Sequence, residues 1–358
     1  MPEYKSLKRV REKKERTRIV ERLLALRAQL DRDIPAKTAT ETLLLATWNI
    51  RNFGDNRRGE SLHYLAEIIS RFDLVAVQEV KSDLGGLERL VALLGHNWDY
   101  IVTDSTEGPS GGGERMAFVY DRCKVFFRKV AGELVLPQSK LIVQGEDKLQ
   151  FARTPYTVAF QAGWFRVMLV TVHIYYGKNV KEDPRRVAEI AAVARFLKDR
   201  AKKEDENYIL LGDFNIFKTS DATMKALEDE SFYIPQAIRK HPTDLGKTKH
   251  YDQIAFKLKL DENMTVFSEG DQHAGAFNFT ETVYTAQDLD EYKEYFDEKY
   301  VVNKTESEIM RYYMSTWRTF EMSDHLPLWI ELKVDFSNQY LDRISKAEIE
   351  RPSRKAQR

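Results

Sequence analysis

Six short segments along the chain each close an apolar run with a polar residue able to hold a phosphate or a metal ion. They are Ala46-Thr47-Trp48-Asn49-Ile50-Arg51, Ala76-Val77-Gln78-Glu79-Val80, Val172-His173, Gly212-Asp213-Phe214-Asn215, Tyr251-Asp252-Gln253-Ile254 and Ser323-Asp324-His325-Leu326-Pro327. Together they carry two His, four carboxylates and two Asn. Metal-assisted attack on a phosphate ester needs that inventory: hard oxygen ligands, a group to activate water, and donors for the phosphoryl oxygens. Taken singly, each has a plainer reading. Glu79 at a strand end is a solvated carboxylate or an ion-pair partner, and Asn49 a turn residue. Gly212-Asp213-Phe214-Asn215 is a turn closed by Asx bonds, although its glycine also lets both polar side chains face one opening. His173 and His325 suit proton traffic near neutrality. Asp252 could orient one imidazole and Glu114 the other, each raising its basicity by pairing. The conjunction in order is what outweighs the separate plain readings.

Alternating apolar runs and helical patterns must place these groups. Strand-like runs occupy Leu43–Trp48, Leu74–Val77, Ala117–Tyr120, Tyr156–Phe160, Phe165–Val172, Tyr208–Leu211, Gln253–Leu258 and Leu326–Leu332. Helices are expected around Gly59–Ser70, Leu84–Leu94, Pro184–Ala201 and Ala222–Glu228, the third started by Asp183 followed by Pro184. Several strands are apolar on both faces, so both faces must be covered. That pattern predicts an α/β protein with sheets packed face to face and helices outside.

Residues 1–41 differ in kind. Lys5 to Arg18 is dense in basic residues, and Ile19, Val20, Leu23, Leu24, Leu26 and Leu30 follow at near-helical spacing up to Ile34-Pro35. This reads as an amphipathic helical extension outside a catalytic domain of residues 42–336. It is expected to pack on its own domain or on a partner subunit, or to mediate self-association, rather than to form a nucleic-acid arm. Ala274–Phe320 is polar, with an acidic, tyrosine-rich first half, and Thr305 with Glu308 marks a capped helix start. It reads as an insertion that forms a rim, a lid or a docking surface. Gly108–Gly113 reads as a mobile surface loop, and residues 337–358 as a charged tail that frays toward its end.

Fifty-six basic residues balance 56 acidic ones. A protein that grips nucleic acid by bulk charge is therefore not expected, although a local basic groove is compatible with this balance. Cys123 is the single cysteine, so an intrachain disulfide is impossible and a reducing, cytoplasmic setting is expected. No apolar run reaches membrane-spanning length, and the basic start lacks the apolar core of a secretory signal.

The ordered motifs resemble the endonuclease/exonuclease/phosphatase superfamily, and within it the deoxyribonuclease I-like nucleases. The resemblance runs from about Leu43 to Leu332. It is carried by Trp48-Asn49-Ile50-Arg51-Asn52-Phe53-Gly54, Gln78-Glu79-Val80, Glu114-Arg115, Phe151-Ala152-Arg153, His173, Gly212-Asp213-Phe214-Asn215, Tyr251-Asp252 and Ser323-Asp324-His325. It implies a four-layered α/β sandwich of two mixed sheets, dependence on Mg²⁺ or Mn²⁺, and hydrolysis of phosphate esters. It further implies that Glu79 is the principal metal ligand, with Asn49 and Asp324 beside it. Asp213 then orients or deprotonates the attacking water, and Asn215 is a transition-state donor. His325, held by Asp252, contacts the reacting phosphate, and His173, held by Glu114, lies near the leaving oxygen. Arg153, Arg51 and Arg115 are the implied phosphate contacts. Nucleic acid is the expected substrate, DNA more than RNA. The alternative is a small or lipid-linked phosphate such as a phosphoinositide, which a net charge of zero favours. The absent disulfides, the expanded Ala274–Phe320 region and the leader before Leu43 depart from secreted deoxyribonucleases.

Overall fold

The computed structural model describes residues 2–106, 112–259, 266–267 and 270–350, apart from the side chains of 271 and 346–350. Its strands are β1 (Thr42–Phe53), β2 (Leu74–Lys81), β3 (Trp98–Val102), β4 (Glu114–Asp121), β5 (Phe126–Glu133), β6 (Ile142–Gln144), β7 (Asp147–Leu149), β8 (Tyr156–Ala162), β9 (Phe165–His173), β10 (Asn207–Asp213), β11 (Asp252–Lys257), β12 (Ala274–Ala276) and β13 (Leu328–Lys333). One mixed sheet has the order β12-β13-β1-β2-β4-β3 and the second β11-β10-β9-β8-β5, with β6-β7 a separate hairpin. Each sheet is built around one parallel pair, β1 with β2 and β9 with β10, flanked by antiparallel neighbours. The expected architecture of two mixed sheets with helices around them is what the chain adopts.

Alternation along β1 explains the layering. Leu43 and Leu45 point into the core between the sheets, while Leu44, Ala46 and Trp48 point outward beneath helices. Helices α1 (Lys13–Asp33), α2 (Gly59–Ile69) and α3 (Gly85–Leu94) cover the outer face of the first sheet. Helices α4 (Pro184–Lys203) and α5 (Ala222–Glu228) cover the second. The Asp183 carboxylate accepts from the backbone N–H groups of Arg185 and Arg186 and caps α4, as its position before Pro184 predicts.

The N-terminal extension packs on its own domain. Ile19, Leu23, Leu26 and Leu30 of α1 are buried against α2 and the 279–317 segment. Two acidic residues of that segment meet the basic leader there: Arg18 and Lys14 approach Glu291 at 3.5 and 3.2 Å, and Arg22 pairs with Asp288. At the centre the buried Glu60 carboxylate accepts from Arg18 Nη2 (2.9 Å), Tyr64 OH (2.8 Å) and Tyr292 OH (2.7 Å). Tyr284, Tyr292 and Tyr313 are completely or almost completely buried beside it. The basic leader and the acidic insertion are thus two halves of one docked layer. Its first strand, β12, is also part of the sheet. Replacing 274–320 with a short Gly/Ser loop is therefore expected to strip the outer face of the first sheet and unfold the domain, read as loss of near-UV circular dichroism; a native spectrum would contradict this packing role.

The remaining expectations lie at the ends and edges. Thr305 forms the expected capping box with Glu308, and the helix Glu306–Tyr312 runs on through a π-helical turn, Tyr313–Trp317. The tail is helical over Ser337–Glu350, and 351–358 lie outside the described residues, as do 107–111 of the glycine loop. No helix among the described residues is long and apolar enough to cross a membrane.

Candidate active site

The carboxyl ends of the two parallel pairs face one another across the sandwich, the place where α/β sheets collect ligand-binding groups. In the first sheet Asn49 pairs with Gln78, and the register then slips on both flanks of Glu79. Such an irregularity re-aims a side chain, and Glu79 sits there at φ +61°. This backbone region is costly for a residue with a Cβ, on the order of 1–3 kcal/mol, and is typically retained where function needs it. Glu79 Oε1 accepts from Asn49 Nδ2 (2.9 Å) and Oε2 from the Asn52 N–H (2.8 Å).

In the second sheet His173 and Asp213 are direct partners across β9 and β10, and Asp252 is Asp213's partner across β11. Gly212 makes this closeness possible: it sits at φ +137°, and a Cβ there would stand 2.1 Å from the Val172 carbonyl oxygen. Gly212→Ala is expected to lower stability by at least about 1–3 kcal/mol and to remove activity with it, read by thermal denaturation; an unchanged Tm would contradict the packing.

Asp213 is the meeting point. Its Oδ2 accepts from Asn49 Nδ2 (2.9 Å), tying the two sheets together, and lies 3.6 Å from His173 Nε2 and 3.8 Å from His325 Nε2. Its Oδ1 accepts from the Asn215 N–H (2.8 Å), and Asn215, at φ +55°, donates from Nδ2 to the Ile174 carbonyl (2.8 Å). His325 Nδ1 is 2.8 Å from Asp252 Oδ2, and the Asp252 backbone N–H donates to Thr243 Oγ1 (3.0 Å). On the far side His173 Nδ1 lies 3.0 Å from Glu114 Oε2. Arg153 Nε donates to the same oxygen at 2.7 Å.

Charge follows from this geometry. Burial alone would discharge His325, but the Asp252 and Asp213 carboxylates, with Asp324 further out, hold it well above the usual imidazole range. Those carboxylates favour its protonated form, and its Nε2 is turned toward Asp213. Burial, with the Asp213 charge adding to it, raises the Asp252 carboxyl above its ordinary range against the opposing pull of the facing His325 ring. Burial also pushes Glu114 upward, yet His173 and Arg153 outweigh it and set the carboxyl at about 2.

The arrangement gathers Asn49, Glu79, Glu114, Arg153, His173, Asp213, Asn215, Asp252 and His325, while Asp324 stands one residue from His325 at the rim. Arg51 and Arg115 are directed elsewhere. Arg51 donates to Thr319 Oγ1 and lies 4.1 Å over the Phe320 ring, turned toward the insertion. Arg115 follows Glu114 in β4 and so points to the opposite face, where its Nη1 bonds the Thr103 carbonyl (2.7 Å) and Asp104 (3.2 Å). Sequence reading missed Arg57, which looks like one more cation in a polar loop. Burial pushes it down to about 10, against the pull of Glu321, Glu79 and Asp324, and its Nη1 holds the Met322 carbonyl at 3.0 Å. It missed Ser323 as a strut as well: Oγ donates to the Asn49 carbonyl (2.5 Å) and accepts from the His325 N–H (2.9 Å).

Two groups have the chemistry to hold a cation. Ligand atoms of buried Asp213, Asp252 and His325 lie within 4.8 Å of one another. The other is the pair Glu79 and Asn49. Both Asn49 amide hydrogens are engaged by carboxylates, so Oδ1 is the remaining acceptor, and it is buried with no hydrogen-bond partner. An orphaned buried oxygen beside a carboxylate is a fitting ligand pair for a hard cation.

A model of the Endonuclease/Exonuclease/phosphatase family matches residues 46–287. The chain belongs to that family. The match stops short of Ser323-Asp324-His325, which the fold returns to Asp252. Deoxyribonuclease-1 of Canis lupus familiaris is 30% identical over 183 residues, 48% of this chain and 60% of that relative, so the chain spans about three fifths of the relative's length. Among solved structures, an endonuclease/exonuclease/phosphatase family protein from Bacteroides thetaiotaomicron superposes with a TM-score of 0.52 at 18% identity, over 83% of this chain and 97% of that one. A mannosyl-6-phosphatase from Bacteroides thetaiotaomicron VPI-5482 gives 0.50 at 17% identity, over 81% and 99%. At such identities the two structures speak for the fold of this endonuclease/exonuclease/phosphatase family hydrolase and not for its substrate.

Proposed function

We propose that this family member is a Mg²⁺- or Mn²⁺-dependent phosphodiesterase acting on nucleic acid, DNA more readily than RNA, in a cytosolic setting. The observation that carries the reading is the convergence of two imidazoles on Asp213 Oδ2, each backed by its own carboxylate. Glu79, Asn49 through Oδ1, and Asp324 would hold the cation, which when bound supplies Lewis-acid neutralisation of a non-bridging phosphoryl oxygen. Asp213, Asp252 and His325 are the weaker ligand set, because an imidazolium has no lone pair to offer.

Asp213 Oδ2 accepts a proton from the attacking water, which it holds in line with phosphorus. His325 donates from Nε2 to an equatorial oxygen as charge builds in the transition state. Asn215 has a second amide hydrogen beyond the one given to Ile174, and it joins that set. On the opposite side His173 passes a proton to the departing sugar oxygen, oriented by Glu114. Arg153 spans Glu114 and the edge of the phosphate site. The Glu114-Arg153 pair and the named identity of the deoxyribonuclease relative favour a nucleic-acid diester over a small phosphate ester.

Glu114→Gln removes a carboxylate that stays charged down to about pH 2 and releases both His173 and Arg153. We expect kcat/KM on a DNA substrate to fall about tenfold to a thousandfold, the scale of an acid–base contribution with a displaced phosphate contact; wild-type kinetics would leave Glu114 a loop residue. For the substrate itself, the purified protein is incubated with plasmid, RNA and a phosphoinositide panel in Mg²⁺ or chelator. Chelator-sensitive cleavage of nucleic acid is expected, and release of phosphate from phosphoinositide alone would overturn the reading.

A further inference from the structure

Against the outer edge of the His325 site stands a group of half-exposed rings that none of the steps above uses. Tyr251 stacks on the His325 ring at 5.3 Å and 27°. Phe217 meets Tyr251 edge-on at 5.7 Å, and Tyr176 closes the group at 6.5 Å from both. All three rings are only partly buried. Each comes from a segment just after or before a site residue: Tyr176 follows His173, Phe217 follows Asn215, and Tyr251 precedes Asp252.

The group is braced from two sides by cations. The fully buried Arg186 lies 5.4 Å from the Tyr176 ring and 5.2 Å from Phe217. Its guanidinium also gathers the carbonyls of Tyr175 (3.2 Å) and Val180 (3.0 Å), fixing the loop that carries Tyr176. Lys249 Nζ stands 4.3 Å over Phe217 and 5.0 Å over Tyr251, and donates to the Tyr251 hydroxyl. A cluster of electron-rich rings inclined to one another, flanked by two cations and one ring away from the catalytic imidazole, is suited to receive a planar heteroaromatic group joined to the reacting phosphate.

We propose that Tyr176, Phe217 and Tyr251, edged by Lys249, form a stacking subsite for the nucleobase of a nucleotide adjoining the scissile phosphate. This rests on the nucleic-acid reading above and deepens it. The subsite tolerates any base, since every base presents a π-face, and Lys249 adds a contact to the neighbouring phosphate. Tyr251 both stacks on His325 and lines the subsite, so base binding presses the imidazolium toward its working position.

The test uses the full chain and an oligodeoxynucleotide with one cleavable phosphodiester, the others replaced by methylphosphonates. A matched oligomer carries reduced abasic sugars on both sides of that bond. Wild-type kcat/KM is expected to favour the base-bearing oligomer by about 5- to 150-fold, the range of a single base–aromatic stack. Phe217→Ala and Tyr176→Ala should each bring this ratio toward one, and Phe217→Trp should keep it. Because the readout is a ratio, a general loss of folded protein does not imitate it. A wild-type ratio near one, or a ratio unchanged in both alanine variants, overturns the subsite while leaving the nuclease reading intact. Wild-type protein that hydrolyses neither oligomer overturns the nucleic-acid reading and this inference with it.

Discussion

Glu79→Gln is expected to lower hydrolysis on the order of a hundredfold or more, the scale of losing a major electrostatic element in a preorganised site. The substitution keeps the side chain's length and shape, but it leaves one acceptor oxygen where Asn49 and Asn52 now meet two, and it removes the charge that a hard cation requires. A neutral amide would also present an N–H where Asn49 already donates, so it would rotate or push Asn49 away from Asp213. Mg²⁺ or Mn²⁺ affinity measured by calorimetry should fall alongside turnover. That second readout separates a ligand from a strut, since loss of a strut leaves cation affinity close to wild type. Undiminished, chelator-resistant turnover in the variant would remove Glu79 from the site.

Asp213→Asn and His325→Ala are each expected to depress kcat on the order of a thousandfold, with much smaller changes in KM, because both groups act on the transition state. They face each other at 3.8 Å, with Asp252 behind His325 and Asn49 and His173 against Asp213. The double variant should therefore be far less impaired than the product of the single losses. Multiplicative losses would mean that the two do not act as a unit. Asp252→Asn extends the test to pH. His325 is held above its ordinary range by Asp252, Asp213 and Asp324, so the working imidazolium is present at low pH and lost as pH rises through its raised value. With Asp252 neutral the alkaline limb of the pH–rate profile should move to lower pH. A limb that stays in place would detach it from His325.

Central strands were legible because they are apolar on both faces and end in polar residues, as in β1, β9 and β10. Edge strands were not. β5 reads Phe126-Phe127-Arg128-Lys129-Val130-Ala131-Gly132-Glu133, is largely solvent-facing, and has no buried stripe to betray it. The short β12 lies inside what looks like an insertion. The basic run in α1 and the acidic run after Asp288 are each ambiguous alone, because a charge run is ordinarily a solvated face. Only the packing of α1 against the 279–317 layer reveals them as mutual partners. The site residues at strand ends were legible from type and order, and the imidazole–carboxylate pairings from the inventory. The directions of Arg51 and Arg115 were not, because a strand's alternation turns a neighbour of a site residue to the opposite face. Arg57 was hidden for the converse reason: in the sequence nothing distinguishes this buried cation from the half-buried Arg58 beside it.

The measurement that bears most directly on the account is single-turnover hydrolysis of a DNA oligomer in ¹⁸O-water, with Mg²⁺ or with chelator, for wild-type protein and Asp213→Asn. Water activated at Asp213 attacks phosphorus, so the label should enter the terminal phosphate, appear only with Mg²⁺, and nearly vanish in the variant. Chelator-resistant cleavage that persists in Asp213→Asn, or label found on the sugar oxygen, would contradict it.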